Sequence, residues 1–537
     1  MEMNNFTRMN EVCADVVIHR DMKTIELSND YILPDYLADI KSVLYIKPAI
    51  HRNSRIVSDG KLEYDGELTY SVVFITEDEK IRSAIFDEAY NGSIAVEGIN
   101  DENCTALILP VIGDLQWKLS NPRKLNIKTM LNLDISIQCN RCIMPRITGK
   151  HTIEDEMTLE RLEDDISFIK CRMIDDNDVS ISEDIVLDSS YPNISEILVC
   201  TLDSHISDVR SVGGKLTYRG EILASCLFTS AAEDDSEHYH TVTKKIPIEG
   251  DLEFNSELQK DRCRWKIITE RPKAAARNNE FEEKRIIELD FTYDLQMICC
   301  TNETARCVTD SYSVDCEYKN SFVTFDILKE IRQIGGSVSI NETLDVQELH
   351  DDHTGEIISA SASLKNISTA YDSQKGRIIC TGDITFDFCI QIDEKSPKVV
   401  TFTRPIRFEA DGDSCNDLMY ITADASVVKL KCRTDDSHYY TDAEIGYIIS
   451  AEERRTEKTL ESVELNVTDH KASKGGAYPI TLYYPRENES LWDIAKKYNT
   501  TTMAIRSAND LADDNISSMS ILVIPRGTLK PVYSKLI

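Results

Sequence analysis

The sequence is poor in residues that break regular structure. Its 537 residues hold 20 glycines and 14 prolines, roughly half the usual share of the two together. That scarcity excludes a collagen-like, low-complexity or largely disordered chain. Long apolar runs are also missing. The longest, Cys104 to Gly113, is interrupted by Pro110 and falls well short of the roughly 18–20 residues of a spanning helix. No membrane span is therefore expected. The N-terminus, Met1-Glu2-Met3-Asn4-Asn5, has neither a basic nor an apolar stretch, so no signal peptide is expected. In such a chain the sixteen cysteines are expected to be mostly reduced thiols in a cytosolic setting. Positive charge is outweighed: 60 Lys and Arg face 93 Asp and Glu, a net charge of −33. This balance disfavours nucleic acid or anionic lipid as a partner.

What is present is a repeat. The length suggests three or four domains, and one pattern recurs three times. It reads Gly60-Lys61-Leu62-Glu63-Tyr64-Asp65-Gly66-Glu67-Leu68, then Gly214-Lys215-Leu216-Thr217-Tyr218-Arg219-Gly220-Glu221-Ile222, then Gly376-Arg377-Ile378-Ile379-Cys380-Thr381-Gly382-Asp383-Ile384. The copies are 154 and 162 residues apart (214 − 60 and 376 − 214), so the repeating unit is a domain. Inside each copy apolar residues alternate with period two, which marks a strand with one buried face. The second glycine of each motif falls on that face, where a bulge or close backbone approach is expected. A strongly alternating strand closes each copy, through Ile127, Ile287 and Ile445. Upstream, Pro34–Ile40, Pro192–Leu198 and Phe325–Ile331 each suggest a short helix. The acidic runs Asp175–Asp178 and Glu233–Glu237 suggest solvated loops.

The last sixty residues change character. From Ala451 to Lys474 the composition is charged and polar, and Lys474-Gly475-Gly476-Ala477 resembles a joint. Beyond it Ser490 is a candidate N-cap, with Asp493 three residues on. Leu491, Ile494, Ala495 and Tyr498 follow helical spacing. A second helix bears Met503, Ile505 and Ala508. Ile480–Tyr484 and Ile521–Pro525 are short strands, so the order is strand, helix, helix, strand. Lys496 and Lys497 are expected on a solvated face.

Sites of chemistry are not found. The sequence has no GxxxxGK[ST], GxSxG, HExxH or GxGxxG motif. Cys139-Asn140-Arg141-Cys142 lacks the second pair of a zinc site. Cys299-Cys300 is expected to end a strand and to be packing; His238 and His240 adjoin an acidic run and His350 and His353 flank Asp351-Asp352, pairs too thin to mark a catalytic or metal site. No catalytic residue, cofactor or metal is expected, and the chain is read as a non-enzyme.

The segment Ser490-Leu491-Trp492-Asp493-Ile494-Ala495-Lys496-Lys497-Tyr498, with Thr500-Thr501, Asn509, Leu511 and Leu522-Val523-Ile524-Pro525, resembles a LysM domain. The resemblance implies a βααβ module with a shallow groove between the loop after the first strand and the loop after the second helix. In glycan-binding members that groove holds N-acetylglucosamine polymers. Mapping it here nominates Arg486, Glu487, Asn488, Trp492, Asn509, Leu511, Asp513 and Asn515 as contact residues. The usual Gly-Asp-[Ser/Thr] turn is replaced by Asn488-Glu489-Ser490. The three upstream copies resemble SPOCS domains, a module of spore-coat proteins. The whole order resembles the SipL-like spore-coat morphogenetic proteins of clostridia.

The expected fold is mainly β, with tandem sandwich-like units, short helices and a small βααβ module. The expected bounds are 1–150, 151–318 and 319–455 for the units, 456–477 for a linker, 478–526 for the LysM module and 527–537 for a tail. The resemblance implies a mother-cell cytoplasmic scaffold at the forespore surface that binds SpoIVA, the ATPase of the coat basement layer, through the LysM module. The alternative is a binder of peptidoglycan or a related glycan in the cortex or wall.

Overall fold

The computed structural model describes residues 12–100, 103–150, 159–231, 237–254, 263–314, 316–345, 354–392, 397–435, 437–470, 480–516 and 521–525. Nearly all of it is strand. The first unit comprises β1 (Val12–Ile32), β2 (Ile40–Ser58), β3 (Lys61–Thr76), β4 (Ile81–Ala95), β5 (Cys104–Asn121) and β6 (Lys124–Ile143). A short strand, β7 (Arg146–Lys150), follows. The second unit repeats the plan as β8 (Leu159–Val186), β9 (Glu196–Val212), β10 (Lys215–Ala231), β11 (Glu237–Glu253), a broken fifth strand β12 (Cys263–Thr269) and β13 (Lys273–Asn278), and β14 (Lys284–Ser313). The third has β15 (Cys316–Asp345), β16 (Glu356–Asp372), β17 (Arg377–Gln391), β18 (Lys398–Asp411), β19 (Tyr420–Thr434) and β20 (His438–His470).

Each unit has a three-stranded meander and contributes to a larger sheet; β1 pairs with β15, so the larger sheets of the first and third units are one seven-stranded sheet, which β7 joins parallel to β20. The repeated motif forms the central strand of a three-stranded meander, β2-β3-β4, β9-β10-β11 or β16-β17-β18. The closing strand is central in the second sheet, where β6, β14 and β20 pair with β1, β8 and β15. The alternating apolar residues fill the space between the sheets. In the second unit Leu216, Tyr218, Ile222, Ala224 and Phe228 meet Ile287, Leu289, Tyr293, Leu295 and Met297. Each such aliphatic side chain contributes about 1.5–3 kcal/mol on full burial. The motif glycines mark bulges: the register shifts between Arg219 and Gly220 and opposite Gly382. A Cβ at Gly220 would lie 2.3 Å from the His205 carbonyl oxygen, so only glycine fits there.

The three meanders converge on one apolar cluster. Leu44, Val73, Ile75 and Ile81 of the first unit meet Leu198, Val199, Leu227 and Tyr239 of the second and Ile358 and Cys389 of the third. Val73, Leu227 and Cys389 each lie seven residues past the second motif glycine (73 − 66, 227 − 220, 389 − 382). The same face of each repeat is thus used, and the units close around a shared centre. Arg82 clamps Glu237 across the first seam with two bonds of 2.8 and 2.9 Å. The Tyr239 hydroxyl accepts from the Ile81 amide at 2.9 Å. Thr241 Oγ1 donates to the Ile358 carbonyl at 2.9 Å across the second seam.

Several expectations are corrected. Pro34–Ile40 and Pro192–Leu198 are turns leading into β2 and β9, not helices, and Phe325–Ile331 lies within β15. Leu37, Ile40, Ile194 and Ile197 of the first two pack into unit cores, whereas Phe325, Ile327, Leu328 and Ile331 pack where the three units meet; Leu37 closes a turn on the Pro34 carbonyl at 3.0 Å. The run Asp175–Asp178 is strand with a bulge: Asp176 accepts from Tyr218 Oη at 2.9 Å, and Arg55 reaches Asp175 at 3.4 Å. Of the other acidic run only Glu237 is described. The second and third units meet at Ser313–Cys316, not at 318 and 319. Residues 456–470 are not linker: β20 continues along β15 to His470. Leu460, Val463 and Leu465 form its buried side, and the charged composition is its outer side. The Lys474–Ala477 joint, His350, His353 and the 527–537 tail lie outside the described residues.

The cysteines also depart from expectation. Cys13–Cys142, Cys104–Cys139, Cys171–Cys300 and Cys200–Cys226 are disulfides. Each joins residues directly opposite on neighbouring strands, a juxtaposition that composition and compartment do not reveal. The two cysteines of Cys139-Asn140-Arg141-Cys142 therefore have separate partners.

Candidate functional site

The C-terminal module has the order β21 (Ile480–Tyr483), α1 (Leu491–Tyr498), α2 (Thr502–Ala508) and β22 (Leu522–Pro525). Its strands pair antiparallel. The helices start as their caps dictate: Ser490 Oγ accepts from the Asp493 amide at 3.1 Å, and Thr501 Oγ1 from the Ala504 amide at 3.0 Å. Asn499, in the left-handed region at φ 50°, ends α1. Leu491, Ile494, Ala495, Ile505, Leu522 and Ile524 make the core.

The first loop turns at Asn488, whose φ is 64°. Asparagine enters that region more readily than other non-glycine residues, so it takes the conformation a glycine would supply. The Glu489 carboxylate accepts from the Arg486 amide at 3.0 Å and from Tyr483 Oη at 2.7 and 2.8 Å. Burial alone would raise its pKa. The Arg486 amide, the Tyr483 hydroxyl and the Lys497 charge outweigh that and hold it below the usual value. Arg486, Glu487 and Asn488 are exposed.

The second loop is anchored by Asn509. Its amide donates to the Ile505 carbonyl at 2.8 Å and the Val523 carbonyl at 2.7 Å, and accepts from the Val523 amide at 2.7 Å. Leu511 is half-buried against the core. Asp513 and Asn515 are exposed, with Asp510 and Asp514 beside them. Asp514 lies 3.7 Å from Arg506.

The structure thus divides the eight nominated residues. Arg486, Glu487, Asn488, Asp513 and Asn515 are surface residues of the two loops. Asn509 and Leu511 hold the second loop to the module. Trp492 belongs to a different contact: it is 8% exposed and packs edge-on against fully buried Tyr312, ring centres 4.7 Å apart. Its indole N–H donates to Asp310 Oδ2 at 2.8 Å. Lys496 is half-buried rather than on a free face, and its ammonium binds both Asp310 oxygens at 2.8 and 2.6 Å. Tyr312 Oη donates to the Thr500 carbonyl at 2.8 Å. Lys497 lies 4.9 Å from the centre of the Tyr483 ring.

The seat for the module is the end of β14. Asp310 follows a register shift at Val308, and such a bulge re-aims side chains. Sequence reasoning missed Asp310 and Tyr312, since nothing near them marks a partner some 180 residues away. Trp492 was the available signal: a large ring with a polar N–H needs an acceptor when buried.

A second concavity, about 460 Å³, lies where the three units meet, with Lys47, His51, His205, Glu221, Trp265 and Asp424 in its wall. Two of its groups are already engaged. Lys47 binds Asp203 at 2.8 Å, and His51 Nδ1 is 2.6 Å from the Thr269 carbonyl oxygen. Burial lowers the pKa of both His51 and His205. His205 and Glu221 stand opposite each other on β9 and β10 in that wall. Among the described residues no group of three or more His, Cys, Asp and Glu side chains could hold a metal ion. No described helix is long and apolar enough to cross a membrane.

Residues 486–525 match the LysM domain family. The match covers the first loop, both helices and β22. No curated protein and no solved structure matches the chain.

Proposed function

We propose that this protein is a non-enzymatic scaffold whose three-unit β body presents the LysM module as a recognition head. The head captures a protein partner in spore-coat assembly, the SpoIVA-type ATPase of the coat basement layer, at the forespore surface. The observation that carries the protein-binding reading is the character of the exposed loops. None of their five nominated surface residues is aromatic, and Trp492 is committed to Tyr312 and Asp310; Tyr484, which opens the first loop, is the exposed ring there that a sugar could use. Asp510, Asp513 and Asp514 make the second loop acidic, which suits a basic protein face better than an uncharged glycan. The naming of spore coat and ATPase rests on the order of three SPOCS-like units before a LysM module.

Glycan binding is the second reading. It is favoured by the LysM match and by Asn488, which keeps the left-handed turn of the groove loop. The two separate in one experiment. The full chain is offered to insoluble peptidoglycan and to a surface coated with the purified ATPase. Retention on the ATPase, lost on Asp513→Lys, supports the scaffold. Retention on peptidoglycan alone establishes the glycan reading.

A further inference from the structure

Cys263 and Cys299 stand directly opposite each other on β12 and β14. Both are fully buried, with Sγ atoms 3.8 Å apart. The repeat gives this pair a counterpart. In the first unit Cys104, the first residue of β5, is disulfide-bonded to Cys139 of β6. In the second, Cys263 is the first residue of β12 and faces Cys299. Cys139 and Cys299 each lie fifteen residues past the lysine that opens the closing strand (139 − 124 and 299 − 284). The third unit has no such pair: Tyr420 and Ile421, which open β19, face Glu452 and Ala451.

We propose that Cys263 and Cys299 are an oxidative cross-linking site, forming a further cross-strand disulfide when the protein meets a small-molecule disulfide such as oxidised glutathione. One thiolate attacks the glutathione disulfide, giving a mixed disulfide and one glutathione thiolate. The second thiolate then attacks the protein sulfur of the mixed disulfide and expels the other glutathione. Two protein thiols lose two electrons and two protons, and one glutathione disulfide becomes two glutathione thiols. Access comes at the strand edge: β12 pairs with β14 alone among the described strands, and edge strands open locally at less cost than central ones. The bond ties β12 to the centre of its sheet. Ile267, Ile268 and Thr269 of β12 line the junction of the three units, so oxidation fixes one wall of that junction.

The test uses the full chain, incubated with reduced or oxidised glutathione, alkylated, digested without reduction and mapped by mass spectrometry. Cys171 and Cys263 are both flanked by basic residues, so the protease must cut elsewhere than at Lys and Arg to tell their peptides apart. The expected result is a Cys263–Cys299 link in the oxidised sample, with two fewer alkylated thiols than in the reduced one. Amide exchange across 263–269 should slow at least several-fold. Cys263→Ser should remove the link and the exchange effect while Cys171–Cys300 persists. If Cys263 and Cys299 stay alkylated while Cys104–Cys139 is closed, the proposal is overturned. It is equally overturned if Cys263 stops at the glutathione adduct, or if Cys299 bonds to Cys171 instead.

Discussion

The body and the head of this molecule are held together in different ways. In the body, sheet faces filled by alternating apolar side chains meet over long strands, and each repeat contributes to two sandwich layers and to a shared centre. In the head, two four-residue strands and two short helices enclose a few aliphatic residues, and single polar contacts do work that volume does elsewhere. Asn509 fastens a loop with three hydrogen bonds, and Asp310 fastens the head with three more. A body of this kind tolerates loop change but not core change. The head should be the reverse in one respect: its second loop depends on individual polar atoms, and its seat adds the Asp310 contacts to an apolar patch of Leu162, Tyr312, Val314 and Tyr318, while its exposed loops are free to vary with the partner.

Substitutions can break that contrast, the largest effect coming first. Phe386 is fully buried in the third unit and stacks on Phe402 with ring centres 4.9 Å apart. Phe386→Ala should cost about 3–5 kcal/mol, seen as a lowered denaturant midpoint for the body with the head's seat intact. Asn509→Ala should cost about 2–3 kcal/mol, because the Val523 amide and carbonyl lose their partner. That loss should appear as early melting of the head alone. Asp310→Ala should cost a similar amount, about 2–3 kcal/mol, and release the head without unfolding it, so that α1 becomes open to proteolysis.

Acid probes the seam between the first two units. Arg82 lowers the Glu237 pKa from 4.5 to about 2. A depressed carboxylate contributes stability that is present above the unfolded value and lost as pH falls through the folded one. The seam should therefore weaken between about pH 4.5 and 2, followed by amide exchange of β4 and β11. Glu237→Gln should weaken it at neutral pH and flatten the dependence. The smallest effect on stability is expected for Arg486→Glu, under about 0.5 kcal/mol by thermal melting, together with weaker capture of the partner by the intact head.

The sequence made the body's plan legible because period-two alternation reports directly on which face is buried. The motif glycines likewise pointed to bulges. The first two upstream segments misled because a proline followed by apolar residues also suits a turn entering a strand; the third, Phe325–Ile331, has no proline and misled because i, i+3 spacing over seven residues does not separate a helix from a bulged strand. The charged stretch after Ala451 misled because a strand with one solvated face has the composition of a linker, and a bulge between Leu460 and Ser462 breaks the alternation that Val463 and Leu465 would otherwise continue. In the head the cap at Ser490 is local and was readable. Trp492 and Lys496 were not, because their partner Asp310 is distant in the chain. The cysteine pairs were hidden for the same reason, as register across strands is a property of the folded sheet.

The central claim is that the body holds the head in one orientation. Spin labels carried on ketone-bearing residues, which avoid the sixteen cysteines, can be placed at Phe281 of the second unit and Met503 of α2, exposed by 80% and 75%. Pulsed electron–electron double resonance on the full chain should give one narrow distance distribution, broadening when Asp310→Ala is introduced. A broad distribution in the unsubstituted protein, unchanged by that substitution, would show that the Asp310–Trp492–Lys496 seat does not hold the head and would contradict the account.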